Sequence, residues 1–347
     1  EDRIERIKEE LVEREKDAFL GLGPSDAFYL SGFRTEGEDY PAVLIPQEGE
    51  PLLLVSRLDL ETARSESTVS VVKIEEGLAR SVEERVQGEV LTSEGIGLGL
   101  YREFDLEIET SDILTELRSV KEEGEVEKIR EAYRNVENAF SSADFSQEKT
   151  ERETAAELEY TMRVNGSDGT SFNTIVASGK RSSLPHHATS DRKIGEGPVL
   201  LDAGSRMKGY VSDLSRSFHI GQPDSDFREV YEAVREAQEE AERKLEAGRK
   251  AAEVDKAARE HLEEEGLGDR FVHSTGHGVG IDVHEAPNLY RESDDELEAG
   301  MVVTLEPAVY LDERFGVRIE DAYLVTESGS ERLTELPRDL ESQVIEV

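Results

Sequence analysis

The chain has no cysteine and no tryptophan, and only three methionines among its 347 residues. Without cysteine there can be no disulfide and no thiolate metal site. No run of apolar residues approaches the 18 needed to span a bilayer, and Glu1-Asp2-Arg3 does not open a signal peptide. The expected location is therefore cytoplasmic, with no membrane partner. Positive charge is also scarce. There are 41 Lys and Arg, 29 of them Arg, against 80 Asp and Glu, for a net charge of −39. Such a surface repels phosphate and excludes general nucleic-acid affinity. The acids are spread along the whole chain, so they are not a binding tail. Adaptation to high salt accounts for them best, because carboxylates hold water and salt screens their repulsion. The alternative is a mildly acidic protein with an unusual surface.

The amino-terminal part alternates short elements. Ile4–Lys16 reads as an amphipathic helix and Leu58–Ser65 as another. Ala18–Leu22, Ala27–Leu30, Pro41–Ile45 and Pro51–Ser56 read as strands. Gly95-Ile96-Gly97-Leu98-Gly99 lacks the Gly-x-Gly-x-x-Gly register of a dinucleotide site and reads as a strand end. From Val120 the pattern turns helical, over Val120–Ser141, Gln147–Asn165, Ser225–Ala247 and Val254–Glu265, with Glu-rich outer faces. Thr170–Ala177 reads as a strand. Two similar helix-pair-plus-hairpin units are expected in the carboxy-terminal half. The length implies two domains, placed at 1–118 and 119–347.

Five residues stand out: Asp202, Asp213, His277, Glu306 and Glu320. They lie in LLDAG (200–204), SDLSRSF (212–218), STGHGVGIDVHE (274–285), TLEP (304–307) and VRIED (317–321). A hairpin turning near Met207-Lys208 pairs Asp202 with Asp213 across two strands. A second, centred near Glu313 between the strands Met301–Glu306 and Gly316–Val325, places Glu306 opposite Glu320. His277 closes the set from a Gly-flanked turn. Any single acid of the 80 belongs by default to a solvated surface, but Asp202, Glu306 and Glu320 interrupt apolar strand patterns. A buried carboxylate without a partner is costly. Four carboxylates and one imidazole form a hard ligand set for two divalent cations, which activate water and polarise a carbonyl.

The ordered blocks resemble the pita-bread metallopeptidases: Xaa-Pro dipeptidases (prolidases), Xaa-Pro aminopeptidases and methionine aminopeptidases. SFNTIVASG (171–179), PHHATSDRKI (185–194), GYVSDLSRSF (209–218), GHGVGIDVHE (276–285) and VRIED carry the resemblance, and DAFYLSGF (26–33) resembles the start of a creatinase-like amino-terminal domain. The resemblance implies an α+β fold: a creatinase-like α/β domain, then a catalytic domain with a curved antiparallel sheet backed by helices. It implies Asp202 on one metal, His277 and Glu306 on the other, and Asp213 and Glu320 bridging. The ions would be Mn²⁺ or Co²⁺, with Zn²⁺ or Fe²⁺ also compatible. Glu306, His284 and His186 would be catalytic. His273 and Arg291 would bind substrate, and Arg318 would hold a ligand carboxylate. His187 reads as a surface residue, and His219 and His261 as structural. Two departures from the family pattern, Ser215-Arg216-Ser217 and Ala308, are not expected to touch a ligand. The expected activity is hydrolysis of small peptides with proline second, by a homodimeric Xaa-Pro dipeptidase. An Xaa-Pro aminopeptidase on longer chains is the alternative. A non-catalytic binding protein on the same fold would have lost ligands.

Overall fold

The computed structural model describes residues 2–35, 40–145 and 148–346. The chain divides into two units, Glu1–Arg118 and Ser119–Val347.

The first unit is a six-stranded sheet with interspersed helices. Its strands are β1 (Ala18–Leu22), β2 (Ala42–Pro46), β3 (Leu52–Val55), β4 (Ser70–Lys73), β5 (Glu89–Ser93) and β6 (Glu107–Ser111), in the order β4-β3-β2-β1-β5-β6. β2 runs antiparallel to both β1 and β3, and the other pairings are parallel. The helices are α1 (Asp2–Glu13), α2 (Gly23–Ser31), α3 (Leu60–Glu66), α4 (Leu78–Glu83), α5 (Leu98–Tyr101) and α6 (Ile113–Ser119). One expectation fails here. Ala27–Leu30 is not a strand but the middle of α2. Pro24 starts that helix, and Gly32, at φ 75°, ends it with its N–H on the Phe28 carbonyl. These are ordinary helix boundary signals. The run Ala-Phe-Tyr-Leu has strand propensity, but of the buried positions 23, 26, 27, 29, 30 and 31 all except 29 follow a helical period. The glycine run at 95–99 is not a strand end either: β5 stops at Ser93, and the run ends inside the short α5, which begins at Leu98.

The second unit contains the two expected helix-pair-plus-hairpin sets. The first pair is α7 (Glu123–Ser141) and α8 (Glu151–Val164). Gln147, where the second helix was expected to begin, lies outside the described residues. Then come β7 (Gly169–Thr170), β8 (Ile175–Ser178), β9 (Gly197–Ala203), β10 (Ser205–Met207), β11 (Tyr210–Val211) and β12 (Leu214–Ile220). The second pair is α9 (Ser225–Glu242) and α10 (Ala251–Glu264). It precedes β13 (Gly276–Gly278), β14 (Glu285–Leu289), β15 (Val302–Leu305), β16 (Ala308–Leu311), β17 (Phe315–Arg318), β18 (Asp321–Thr326), β19 (Gly329–Arg332) and β20 (Val344–Ile345). β8, β9 and β12 are antiparallel neighbours, as are β14, β13, β15, β18 and β19. The apolar faces of α9 and α10 pack with β15 to β18 in one buried cluster that includes Tyr231, Val234, Leu262, Val303, Leu305, Val317 and Tyr323.

Both hairpins form, each with a break. The first turns at Lys208-Gly209, one residue later than expected. Both have positive φ (52° and 87°), as a tight two-residue turn requires. Its register pairs Ser215, not Asp213, with Asp202. Asp213 falls two residues away, just outside β12, so the two aspartates are diagonal neighbours. The second hairpin is centred on Glu313 as expected. Leu305 pairs with Asp321 and Ala308 with Arg318, so the continuing register sets Glu306 opposite Glu320. The long strands expected at Tyr210–Ile220 and Gly316–Val325 are each interrupted, at Ser212-Asp213 and at Ile319-Glu320.

Candidate metal centre

The breaks free backbone groups, and buried helix side chains take them up. At the second break Gln238 of α9 donates through Nε2 to the carbonyls of Leu305 (3.0 Å) and Ile319 (3.1 Å) and to Asp321 Oδ2 (3.0 Å). At the first, Tyr133 of α7 accepts the Asp213 N–H at 3.3 Å, and Ser212 Oγ donates to the Ala132 carbonyl at 3.2 Å. A buried peptide group left unpaired would destabilise the fold. These side chains let the strands break where a carboxylate must leave the ladder.

His277 sits on a short strand, not in a turn. The glycines around it permit close approach of neighbouring backbones. A Cβ at position 276 would clash with the Thr304 carbonyl, and one at 278 with that of Ala286. His277 Nδ1–H donates to the Gly278 carbonyl at 3.0 Å. This leaves the Nε2 lone pair facing Asp213 Oδ2 and Glu306 Oε1, each at 3.6 Å. Burial pushes the His277 imidazole down to about 4, so the ring is neutral at pH 7.

The five expected ligands therefore converge. His277, Glu306 and Glu320 bring one donor atom each within 4.8 Å of one another, and so do Asp202, Asp213 and Glu320. The two groups share Glu320. A third group joins Asp213 and His277 to His284, whose ring packs against that of His277 at a tilt of 59°, with centroids 4.4 Å apart. The carboxylates are strongly disfavoured as bare anions. Burial, then the neighbouring carboxylates, pushes Asp213 and Glu320 well above the usual range. Burial raises Asp202 and lifts Glu306 to about 7. Asp202 Oδ1 and Glu320 Oε1 are buried without a hydrogen-bond partner among the described residues. Two divalent cations fit this site, since they would occupy those unpartnered oxygens and neutralise the crowded charge.

Arg318 organises the wall. Its Nη2 donates to Asp202 Oδ2, its Nε to Ser215 Oγ at 2.7 Å and its Nη1 to Tyr310 OH at 3.0 Å. Ser215 Oγ in turn donates to Glu320 Oε2 at 2.8 Å. The departure at Ser215 thus does touch one of the five, contrary to expectation. Tyr310 OH donates to His273 Nε2 at 3.1 Å, and His273 Nδ1–H donates to the Ser274 carbonyl at 2.8 Å. Both His273 nitrogens are engaged inside the protein. Burial and the nearby Arg318 charge push its imidazole down to about 4.

A cleft of about 450 Å³ opens over the site. Phe172, Ile175, Pro185 and Val283 give it apolar walls, and His186, His284 and His273 also line it. Arg291 does not. It lies exposed and pairs with Glu263 at 3.3 Å. His187 is also corrected: it is buried, and its Nε2–H donates to Glu151 at 2.9 Å. His219 packs on Phe227, and His261 lies 3.5 Å from Glu236, so neither belongs to the cleft. The sequence reading missed Tyr133, Ser215, Gln238 and Tyr310. Only Ser215, two residues after Asp213 on the same strand face, carried a local signal.

Residues 127–327 match Metallopeptidase family M24, and residues 3–135 match the Creatinase/Prolidase N-terminal domain. The chain belongs to metallopeptidase family M24. Among M24 relatives, it is 36% identical to an Xaa-Pro dipeptidase of Pyrococcus furiosus, over 98% of this chain and 99% of the other. Its structure is similar to a prolidase from Pyrococcus horikoshii, with TM-score 0.93 and 34% identity over 98% and 100% of the two chains. It is also similar to an X-Pro aminopeptidase from Thermotoga maritima, with TM-score 0.90 and 35% identity over 99% of each. The M24 fold of the second unit and the creatinase-type domain before it agree with the architecture expected from sequence.

Proposed function

We propose that the chain is an Xaa-Pro dipeptidase that hydrolyses the bond between an amino-terminal residue and proline. The observation that carries this reading is the convergence of Asp202, Asp213, His277, Glu306 and Glu320 on one cleft, with Asp202 Oδ1 and Glu320 Oε1 lacking hydrogen-bond partners among the described residues. Asp202 would hold one cation, His277 and Glu306 the other, with Asp213 and Glu320 between them. An oxygen-rich set with one imidazole suits Mn²⁺ or Co²⁺. When bound, the ions supply Lewis-acid activation of water and of the scissile carbonyl.

The chain's own residues do the rest. A Glu306 carboxylate oxygen takes a proton from the water whose oxygen bonds to the scissile carbonyl carbon, and passes it to the leaving proline nitrogen as the C–N bond breaks. His284 and His186, on the cleft, donate to the carbonyl oxygen as it gains charge. Phe172, Ile175, Pro185 and Val283 present an apolar surface to the proline ring. Arg318 holds Asp202 and, through Ser215, Glu320. His273 supports Tyr310 with both ring nitrogens engaged, so any contact it makes with substrate is through the ring carbon atoms.

The Xaa-Pro aminopeptidase reading stays beside this one. Arg291, the expected grip on a dipeptide's terminal carboxylate, pairs with Glu263 away from the cleft lining. The solved relatives include both activities. Values of kcat/KM on Ala-Pro, Ala-Pro-Ala and a matching pentapeptide, in molar KCl with Mn²⁺ or Co²⁺, separate them. The dipeptide should be the best substrate, and Met-Ala peptides should not be cut. Preference for longer chains would make the protein an aminopeptidase, and Met-Ala cleavage would remove the proline reading. By the family resemblance we also read the protein as a homodimer, and we keep the cytoplasmic location expected from its sequence. Among the described residues no helix is long and apolar enough to cross a membrane.

A further inference from the structure

Among the buried carboxylates outside the metal centre is Glu151, which the reaction does not use. Glu151 is the first residue of α8 and has no exposed surface. Its two oxygens accept five hydrogen bonds. Oε1 takes Ser178 N (2.9 Å) and Ser178 Oγ (2.8 Å). Oε2 takes His187 Nε2 (2.9 Å), Ser190 N (3.1 Å) and Ser190 Oγ (2.7 Å). Burial raises its carboxyl, but the donors at His187, Ser190 and Ser178 outweigh that and hold it below the usual range. A carboxylate so fully satisfied at a helix N-terminus is a rigid anchor.

What it anchors is specific. Ser178 ends β8, and Ser190 lies twelve residues on. The chain between them leaves the sheet and returns, carrying Pro185 and His186 into the cleft lining. Glu151 thus fastens both feet of this segment, and His187, one residue past His186, ties it to Glu151 at a third point near its far end. His187 is buried on Glu151, while its neighbour His186 is exposed on the cleft. With the chain held at residue 187, the preceding side chain is directed the other way. The feet are tied again at Thr189, whose Oγ1 donates to the Thr174 carbonyl (2.9 Å) and accepts from Val176 N (3.0 Å).

We propose that Glu151 and His187 are positioning residues that aim His186 at the substrate. This rests on the reading of His186 as a residue that acts on the substrate's carbonyl oxygen. His187→Leu keeps the bulk and removes the donor to Glu151. Its kcat/KM on Ala-Pro should fall about tenfold, chiefly in kcat, with metal content unchanged. His187→Gln, which keeps a donor, should return it to within threefold of wild type.

A double-mutant cycle separates positioning from mere stability. If His187 acts through His186, the loss in His187→Leu should largely vanish in a His186→Ala background. Ser190→Ala, a milder loss of one donor, runs the same cycle should His187→Leu not fold. Losses that multiply in these cycles, or a folded His187→Leu with wild-type kcat, would overturn the proposal. Crystal structures of the variants test the same point without an activity assay. His186 should leave the cleft lining in His187→Leu and return in His187→Gln. An unmoved His186 in His187→Leu overturns the proposal, whatever the substrate. A wild type inactive on every Xaa-Pro peptide overturns the functional reading alone, and the crystallographic comparison then decides the positioning proposal.

Discussion

At the scale of single residues, the proposed roles set two kinds of side chain apart, those proposed to hold metal and those proposed to face the substrate. Asp213 belongs to the first kind. It approaches His277 and shares a donor group with Asp202 and Glu320. Asp213→Asn keeps the shape and removes one charge, so at least one metal should be lost and kcat should fall about 100-fold or more. Full activity with two metals retained, by metal analysis and peptidase assay, would remove Asp213 from the ligand set. His284 belongs to the second kind. His284→Ala should lower kcat with metal content near wild type, and loss of metal would make His284 a ligand instead. The raised carboxyls add a pH test. A carboxylate whose folded pKa lies above its unfolded value destabilises the fold as pH rises from the unfolded pKa through the folded one. For Glu306 that window runs from about 4.5 to about 7. Chelator-treated protein should therefore lose stability from pH 5 to pH 8, while metal-loaded protein loses less. A gap between their melting temperatures that does not widen with pH would contradict this.

At the scale of elements, the two hairpins show what could be read from sequence and what could not. Glu306 and Glu320 were placed correctly because a loop centred on Glu313 fixes the register of everything before and after it. The first hairpin slipped by one residue because Lys208-Gly209, not Met207-Lys208, supplies the two positive φ values. The strand breaks were not legible, because they depend on Gln238 and Tyr133 from distant helices. His187 was misread for a similar reason, since its partner Glu151 lies 36 residues earlier. The Gly-His-Gly element was mistaken for a turn because glycine signals both turns and close approach. That difference can be tested. Gly276→Ala puts a methyl into the Thr304 carbonyl. It should destabilise the protein by about 1–3 kcal/mol, on the scale of overpacking in a core. It should also weaken metal binding, because β13 carries His277. A substitution tolerated without change in melting temperature or metal content would show that β13 can move away from β15.

At the scale of the whole molecule, charge is the property that local packing does not explain. The helices and their connections carry many short-range pairs, such as Arg235 with Glu232 and Glu239 on α9, and Arg249, between α9 and α10, with Glu246 and Glu253. If every one of the 41 bases paired with an acid, 39 of the 80 acids would still be unmatched. Exposed pairs are worth at most about 1 kcal/mol each, and salt weakens them. Salt also weakens the repulsion among the unmatched acids, which is summed over the whole surface. The two effects oppose each other, and the size of the excess sets the expected sign: repulsion should dominate, so added salt should stabilise. The Debye length is about 10 Å at 0.1 M and about 3 Å at 1 M, so most of the gain should come below 1 M. Melting temperature and peptidase activity should therefore rise together from 0.1 to 2 M KCl. The rise in melting temperature should persist in chelator-treated protein, because the repulsion lies on the surface and not at the metal centre. A melting temperature that is flat or falls over that range would reject adaptation to high salt and leave the acidity of this M24 chain as a surface property without that role.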